Sequence, residues 1–315
     1  MNNDPLVSII MATWNRAHFI EETLQAINSQ SYINWECLII DDGGTDNTLE
    51  LITPILEEDK RFTFLKRTKD YKKGLPGCRN YGLDRANGDF IIFFDDDDIP
   101  HPQNLELCVD ELKDGSLKFC RYPKAVFRGD FDYKFDYKKK FEKFKFTQNN
   151  LTKMIDQTIP FYSCSAMWST SCFENNRFNE SLMYAEEWEC YSRILSQEIK
   201  GICIEKTLFY ARKHPHSNTG EFLGSNPIRR DSKKKAIQLI VNHLSSKKLL
   251  TPYLLKYLSG IAITFRDIKL IDNIIKSVSL SKKQKFKLRF KFYAYPIWVI
   301  YAQIKKSFRN KLNKN

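Results

Sequence analysis

Phe90-Ile91-Ile92-Phe93-Phe94 is apolar at every position and runs directly into Asp95-Asp96-Asp97-Asp98. Side chains alternate between the two faces of a strand, so a strand without polar alternation needs both faces covered. That requirement points to a mostly parallel sheet with helices on both faces. Four adjacent carboxylates cannot share this burial, because they repel one another and lose their hydration. Positive charge must offset them, and a divalent cation with oxygen ligands is the simplest source. A solvated, inert acidic exit from the strand is the alternative.

The preceding chain supplies the rest of such a sheet. Residues 6–12, 35–40 and 62–65 are further β-rich apolar runs. Between them lie a helical pattern with Phe19, Ile20, Thr23, Leu24 and Ile27 on one face, a helix over 47–56 and a helix over 78–86, with 74–77 as a loop. In a parallel sheet of this kind ligands bind beyond the carboxyl ends of the strands. Ala12-Thr13-Trp14, Asp41-Asp42 and the acidic quartet all stand at such ends, so three polar constellations converge on one crevice. Farther on, the pattern predicts a helix over 104–112, strands over 117–122, 165–169, 202–204 and 208–210, and a helix over 185–195. Residues 127–146, where aromatics alternate with Lys and Asp, read as a surface hairpin or flap.

The ordered set Val7-Ser8-Ile9-Ile10-Met11-Ala12-Thr13-Trp14-Asn15-Arg16, Ile40-Asp41-Asp42-Gly43-Gly44-Thr45-Asp46, Gly77-Cys78-Arg79-Asn80, Asn87-Gly88-Asp89, Phe94-Asp95-Asp96-Asp97-Asp98 with Pro102, and Glu186-Glu187-Trp188-Glu189 resembles family 2 glycosyltransferases of the GT-A, Rossmann-like fold. The likeness covers roughly residues 7–217. It implies that Ala12, Thr13, Trp14, Asn15 and Asp42 hold a nucleoside: an aromatic can stack on a base, and a carboxylate accepts the imide N–H of a pyrimidine. A turn-forming role is the alternative for Asp42, though Asp41 suits it better. Arg79 matches the family's arginine near the diphosphate, with an ion pair inside the acidic cleft as the alternative.

The resemblance aligns Asp95 and Asp97 with the family's Asp-x-Asp pair, with Asp96 between them. It implies Asp97 as the direct ligand of Mn²⁺ or Mg²⁺. Asp95 would face the ribose or reach the metal through water, and Asp96 would lie at the nucleotide. His214, in Tyr210-Ala211-Arg212-Lys213-His214-Pro215-His216, resembles the family's later histidine and can contact the metal or the diphosphate. Glu187 falls at the place of the catalytic base, with Glu186 as a second candidate or an orienting group. An acidic first turn stabilising a helix N-terminus is the alternative. Two departures are a Glu where Asp is usual and Gly44 where Ser is usual. The implied reaction is inverting transfer from a nucleoside-diphosphate sugar, a UDP-sugar by preference, to a glycan or lipid-linked acceptor in cell-surface polysaccharide synthesis. A non-catalytic nucleotide-sugar-binding or scaffold subunit is the competing reading.

Charge divides the chain. The formal net charge is +12, but residues 229–315 carry 22 Lys and Arg against Asp231, Asp267 and Asp272, leaving the first 228 residues at −7. Residues 1–228 therefore read as the catalytic domain and 229–315 as a basic amphipathic helical region. In the latter, Lys282, Lys283, Lys285, Lys287, Arg289 and Lys291 interleave with Phe286, Leu288 and Phe290, followed by Tyr293, Tyr295, Trp298 and Tyr301. Aromatics beside Lys and Arg suit an anionic headgroup layer. A helical cap with solvated lysines is the alternative. Nucleic acid is excluded as a partner for want of any recognition module. The eight cysteines form no Cys-x-x-Cys pair and sit in apolar stretches, as reduced core residues do. With a polar start and no run of about 20 apolar residues, the expected location is cytoplasmic, peripheral on the inner face of the membrane.

Overall fold

The computed structural model describes residues 4–138, 140–214 and 217–312. Its strands are β1 (Val7–Thr13), β2 (Trp35–Asp41), β3 (Phe62–Lys66), β4 (Phe90–Asp95), β5 (Ile99–Pro100), β6 (Phe119–Arg121), β7 (Lys124–Phe127), β8 (Lys143–Phe146), β9 (Ala166–Ser169), β10 (Gly201–Ile204) and β11 (Phe209–Arg212). The helices are α1 (Ile20–Asn28), α2 (Thr48–Glu58), α3 (Leu75–Leu83), α4 (Asn104–Leu112), α5 (Leu151–Ile155), α6 (Glu186–Leu195), α7 (Asn218–Leu223), α8 (Pro227–Ser246), α9 (Pro252–Thr264), α10 (Ile268–Ser277) and α11 (Lys282–Leu312). Pro215 and His216 lie outside the described residues.

An eight-stranded sheet runs in the order β3-β2-β1-β4-β9-β6-β10-β8. The first four strands are parallel, β9 is antiparallel to both β4 and β6, and β10 is again parallel to β6. Every apolar residue of β4 is buried, as the uninterrupted run requires. Each such Phe or Ile contributes about 1.5–3 kcal/mol relative to an exposed position. One core cluster joins β4 to β1, β2, α1 and α4 through Phe94, Ile9, Trp35, Leu24 and Leu105. On the opposite face of β1, Gly82 of α3 makes close packing possible, since a Cβ would stand 2.5 Å from Ile10 Cγ2.

Register fixes where the strands end. Thr13 pairs with Asp41, Ala12 with Asp95, and Asp41 with Lys66. The segments following β1, β2 and β4 therefore leave the sheet side by side at one edge.

Two local expectations are corrected. Helix α3 begins at Leu75, three residues before the expected start, because Pro76 fits the first turn and Gly74 at φ 118° supplies the entry. Among the described residues of 127–146, no two strands pair as a hairpin. β8 pairs with β10, whereas β7 joins a small sheet in the order β5-β11-β7. Between them Phe131, Tyr133 and Phe135, alternating along the chain, all pack their rings on Tyr210 at 5.2–5.8 Å. A pattern of period two is thus satisfied by an aromatic cluster instead of a partner strand.

The chain divides into two compact units, Met1–Lys233 and Lys234–Asn315, with the division inside α8. The second unit is helical. Helix α10 buries Leu270, Ile271, Ile274 and Ile275, and Asp267 caps it by accepting from the backbone N–H groups of Lys269 and Leu270. All eight cysteines are buried thiols. Among the described residues no helix is long and apolar enough to cross a membrane.

Candidate active site

A cleft of about 610 Å³ opens at the edge where β1, β2 and β4 end. That volume lies within the usual range for small-molecule sites. Of the residues expected at a nucleotide, Ala12, Thr13, Trp14, Asp42 and Asp96 line it. Trp14 is 51% exposed, and the Lys73 ammonium stands 5.2 Å from its ring centroid. Asp42 is held on both oxygens: Oδ1 accepts from Arg67 Nε at 2.6 Å and Oδ2 from the Gly74 N–H at 2.9 Å. Its remaining lone pairs stay available to a ligand. Asp41 takes the turn role, accepting from Gly44 N–H at 2.8 Å.

Asn15 does not line the cleft. Its Oδ1 accepts from the backbone N–H groups of Thr45 and Asp46 at 2.7 and 3.3 Å, and its φ of 54° places it in the left-handed region that Asn tolerates. It braces the loop after β1 against the loop after β2.

Three carboxylates of the quartet meet basic side chains, Arg16 being shared by Asp96 and Asp97, and the fourth accepts a backbone N–H. Asp95 lies 3.4 Å from Arg79 Nη2, Asp96 lies 3.2 Å from Arg16 Nε, and Asp97 Oδ2 lies 2.7 Å from His214 Nε2 and 4.0 Å from Arg16 Nη2. Asp98 accepts the Arg212 backbone N–H at 2.7 Å, while Arg212 Nε donates to the Asp97 carbonyl at 3.0 Å. Burial, then the neighbouring Asp97, pushes Asp96 up to about 7 against the pull of Arg16. The same two causes raise Asp98 well above the carboxylate range, with Lys124 opposing. The charge problem posed by the sequence is thus met in large part by the protein's own cations, most of them from distant segments.

Two donor sets among these residues have the chemistry to hold a cation. Asp97 and His214 offer an oxygen and a nitrogen at 2.7 Å, a separation compatible with adjacent ligands on one Mn²⁺ or Mg²⁺, ions that use few protein carboxylates when a phosphate supplies further oxygens. Asp95, Asp98 and Cys164 also bring one ligand atom each within 4.8 Å of one another. The Lys124 ammonium stands 3.9 Å from Cys164 Sγ, however, and burial raises the thiol's pKa far above its ordinary value. Both sets have a basic neighbour, Arg16 at 4.0 Å from Asp97 in the first and Lys124 beside Cys164 in the second.

Helix α6 begins at Glu186, so Glu186 and Glu187 occupy its first turn and gain from the helix dipole. Arg79, 4% exposed, donates from Nη1 to Glu186 Oε1 at 2.8 Å. It thereby links α6 to Asp95 at the end of β4. Burial works against the Arg79 charge, but Glu186 and then Asp95 outweigh it and raise its pKa. Arg79 thus occupies the ion-pair role inside the acidic site. Among the described residues Glu187 has no ion pair as close as this: burial, then Glu186, pushes it up to about 7, with Arg79 and Lys233 opposing. A carboxylate poised there suits proton abstraction near neutral pH.

Residues 8–172 match the family model for glycosyl transferase family 2. The chain belongs to that family. An uncharacterised glycosyltransferase of Rickettsia felis is 30% identical over 258 residues, covering 81% of this chain and 39% of that protein. The Escherichia coli UDP-Glc:alpha-D-GlcNAc-diphosphoundecaprenol beta-1,3-glucosyltransferase WfgD is 38% identical over 117 residues, covering 37% of this chain and 45% of WfgD. The chain therefore spans less than half the length of these curated relatives. The structure of S. aureus TarS 1–349 in complex with UDP superposes with a TM-score of 0.65 at 17% identity, covering 97% of this chain and 91% of that one. This likeness establishes the GT-A fold.

Sequence reasoning assigned no role to Arg16, Arg67, Lys73 or Arg212. Arg16 had a signal, since it follows Asn15 in the first family motif. Arg212 likewise stands in the quoted Tyr210–His216 segment, whereas Arg67 and Lys73 come from a loop that the tertiary fold brings to Asp42 and Trp14.

Proposed function

We propose that this family 2 protein transfers a sugar from a nucleoside-diphosphate donor, UDP being the favoured nucleotide, to a hydroxyl of a glycan or lipid-linked acceptor in cell-surface polysaccharide synthesis. The observation that carries this reading is the cleft in which an exposed Trp14, a doubly anchored Asp42 and Asp96 meet at one sheet edge, next to the Asp97–His214 pair. The UDP in the TarS complex and the diphosphoundecaprenol-linked acceptor in the name of WfgD favour the same assignment.

In this reading Trp14 stacks on the base and Asp42 accepts its imide N–H. Asp97 and His214 would hold Mn²⁺ or Mg²⁺, with Asp95 and Asp96 beside the nucleotide. When bound, the ion offsets charge on the diphosphate oxygens as the sugar–phosphate bond breaks. Glu187 removes the proton of the acceptor hydroxyl. The oxygen attacks the anomeric carbon in line, the bond to the phosphate oxygen breaks, and its electron pair leaves with the nucleoside diphosphate. A single displacement of this kind inverts the anomeric centre. Glu186, committed to Arg79, orients the site and does not serve as base.

A thermal-shift panel of nucleoside diphosphates with Mn²⁺ tests the donor site. UDP at 100 times its Kd should add about 2.7 kcal/mol of stability. Absence of stabilisation by any nucleoside diphosphate would remove the reading.

The second unit supports a further part of the proposal, docking on an anionic membrane surface. On α11, Phe286, Phe290, Tyr293, Ile297 and Tyr301 are all exposed. Their spacing of three or four residues places them on one stripe, and Leu288, on another side of the helix, is buried. Lys285, Lys287, Arg289 and Lys291 are exposed around the stripe, as in helices that lie in the headgroup layer. Each basic side chain near an anionic leaflet contributes about 1 kcal/mol. Cosedimentation with phosphatidylserine-containing vesicles should therefore be lost when residues 279–315 are removed; undiminished binding would rule this surface out.

A further inference from the structure

Arg229, Ser232 and Lys233 stand at i, i+3 and i+4 in α8, on one face of its first turns. All three meet the segment that delivers Glu187. The Ser232 hydroxyl accepts from the backbone N–H groups of Met183 and Tyr184, both at 2.9 Å, and donates to the Tyr184 carbonyl at 2.7 Å. Arg229 donates from Nη1 to the Met183 carbonyl and from Nε to Glu221 at 2.8 Å. Lys233 Nζ lies 3.7 Å from the ring centroid of Trp188, the residue after Glu187.

The segment they hold needs holding. Ala185, immediately before α6, has φ 62°, a left-handed conformation that a residue with a Cβ adopts at a cost. The two residues before it carry the hydrogen bonds from Ser232 and Arg229, and the Tyr184 ring stacks on Phe222 at 4.5 Å. A serine that satisfies three backbone groups of one turn acts as a clamp on its geometry.

We propose that this face of α8 is a positioning device for the catalytic base: Ser232 fixes the turn from which Glu187 projects, and Lys233 supports the charge on its carboxylate. This rests on the reading of Glu187 as base. The charged and titratable groups around Glu187 come from three helices and the clamped turn. Glu186 from α6 disfavours its ionisation, Arg79 from α3 and Lys233 from α8 favour it, and Tyr184 belongs to the turn itself. Arg79 is already paired with Glu186 and Asp95, which leaves Lys233 as the adjustable contribution. Burial lowers Lys233 to about 8, with Glu187 the first of the two carboxylates opposing that shift.

The test is the pH profile of kcat/KM for UDP release from a UDP-sugar by the full chain and four variants, with UDP binding as the check on folding. A base works deprotonated, and loss of a nearby cation raises its pKa. Lys233→Met should therefore move the acid limb upward by about 1 pH unit, and Lys233→Arg should restore it. Ser232→Ala should lower kcat by at least about tenfold with the donor KM unchanged. An unmoved limb in Lys233→Met, or a native kcat in Ser232→Ala, overturns the proposal. A Lys233→Met chain that fails to bind UDP leaves the decision to Ser232→Ala. Full activity in Glu187→Gln would remove the base assignment itself, whereas an inactive Glu187→Gln beside a native Lys233→Met profile removes only the positioning role.

Discussion

Glu187→Gln is expected to lower kcat by about 10²–10⁴-fold, the range set by loss of a positioned general base, while leaving UDP affinity within about twofold. The amide keeps the size and polarity of the side chain but cannot take the acceptor proton. The wild-type profile supplies the second half of the expectation. Because burial and Glu186 push Glu187 up to about 7, a base at this position would be protonated and inactive below that pH and would become competent as pH rises through it. The acid limb of kcat/KM should therefore fall near neutrality instead of near the ordinary range of an exposed glutamate, and it should be absent from residual turnover in the Gln variant. A variant that keeps wild-type turnover would point to Glu186 as the base. Glu186→Gln tests that outcome. Its loss would leave Arg79 with Asp95 alone, so it should disturb thermal stability as well as rate.

Asp97→Ala carries the second large effect. Removing the carboxylate that pairs with His214 should abolish the Mn²⁺-dependent part of the UDP thermal shift and lower kcat by about 10²–10³-fold, as removal of one electrostatic stabiliser of a developing anion does. The metal-independent part should survive, because Trp14 and Asp42 sit on other strands' ends. A variant whose response to UDP is equally metal-dependent would place the ion elsewhere, with the Asp95, Asp98 and Cys164 group the first alternative.

The fold was legible because its signals are local and strong. A strand with no polar alternation, such as Phe90 to Phe94, can be buried on both faces in few ways, and the turn chemistry at Gly43 (φ 86°) and Gly74 (φ 118°) stands in the sequence as glycine. Those strands in turn place Trp14, Asp42 and Asp96 together through register alone. Less was legible where a residue's role depends on a partner far along the chain. Arg79 could be read beside a diphosphate, yet its 2.8 Å contact with Glu186 spans 107 residues, and nothing near either position announces it. Arg212 stood in the quoted Tyr210–His216 segment, yet its contacts with Asp97 and Asp98 span 115 and 114 residues and could not be read there. The aromatics of residues 131–135 misled for a different reason. Alternation reports which side chains share a face, and a cluster around Tyr210 satisfies it as well as a hairpin does.

The large sheet ends on β8, whose sequence Lys143-Phe144-Lys145-Phe146 turns its buried side inward with Phe146 and leaves Lys143 and Lys145 exposed. Unpaired edge strands invite another chain to add on through backbone hydrogen bonds, and lysines along an edge are a common deterrent. Lys143 is paired with Glu111, which leaves Lys145 as the ammonium that a second copy adding to this rim would have to meet. Strand addition at β8 is thereby made less favourable by charge.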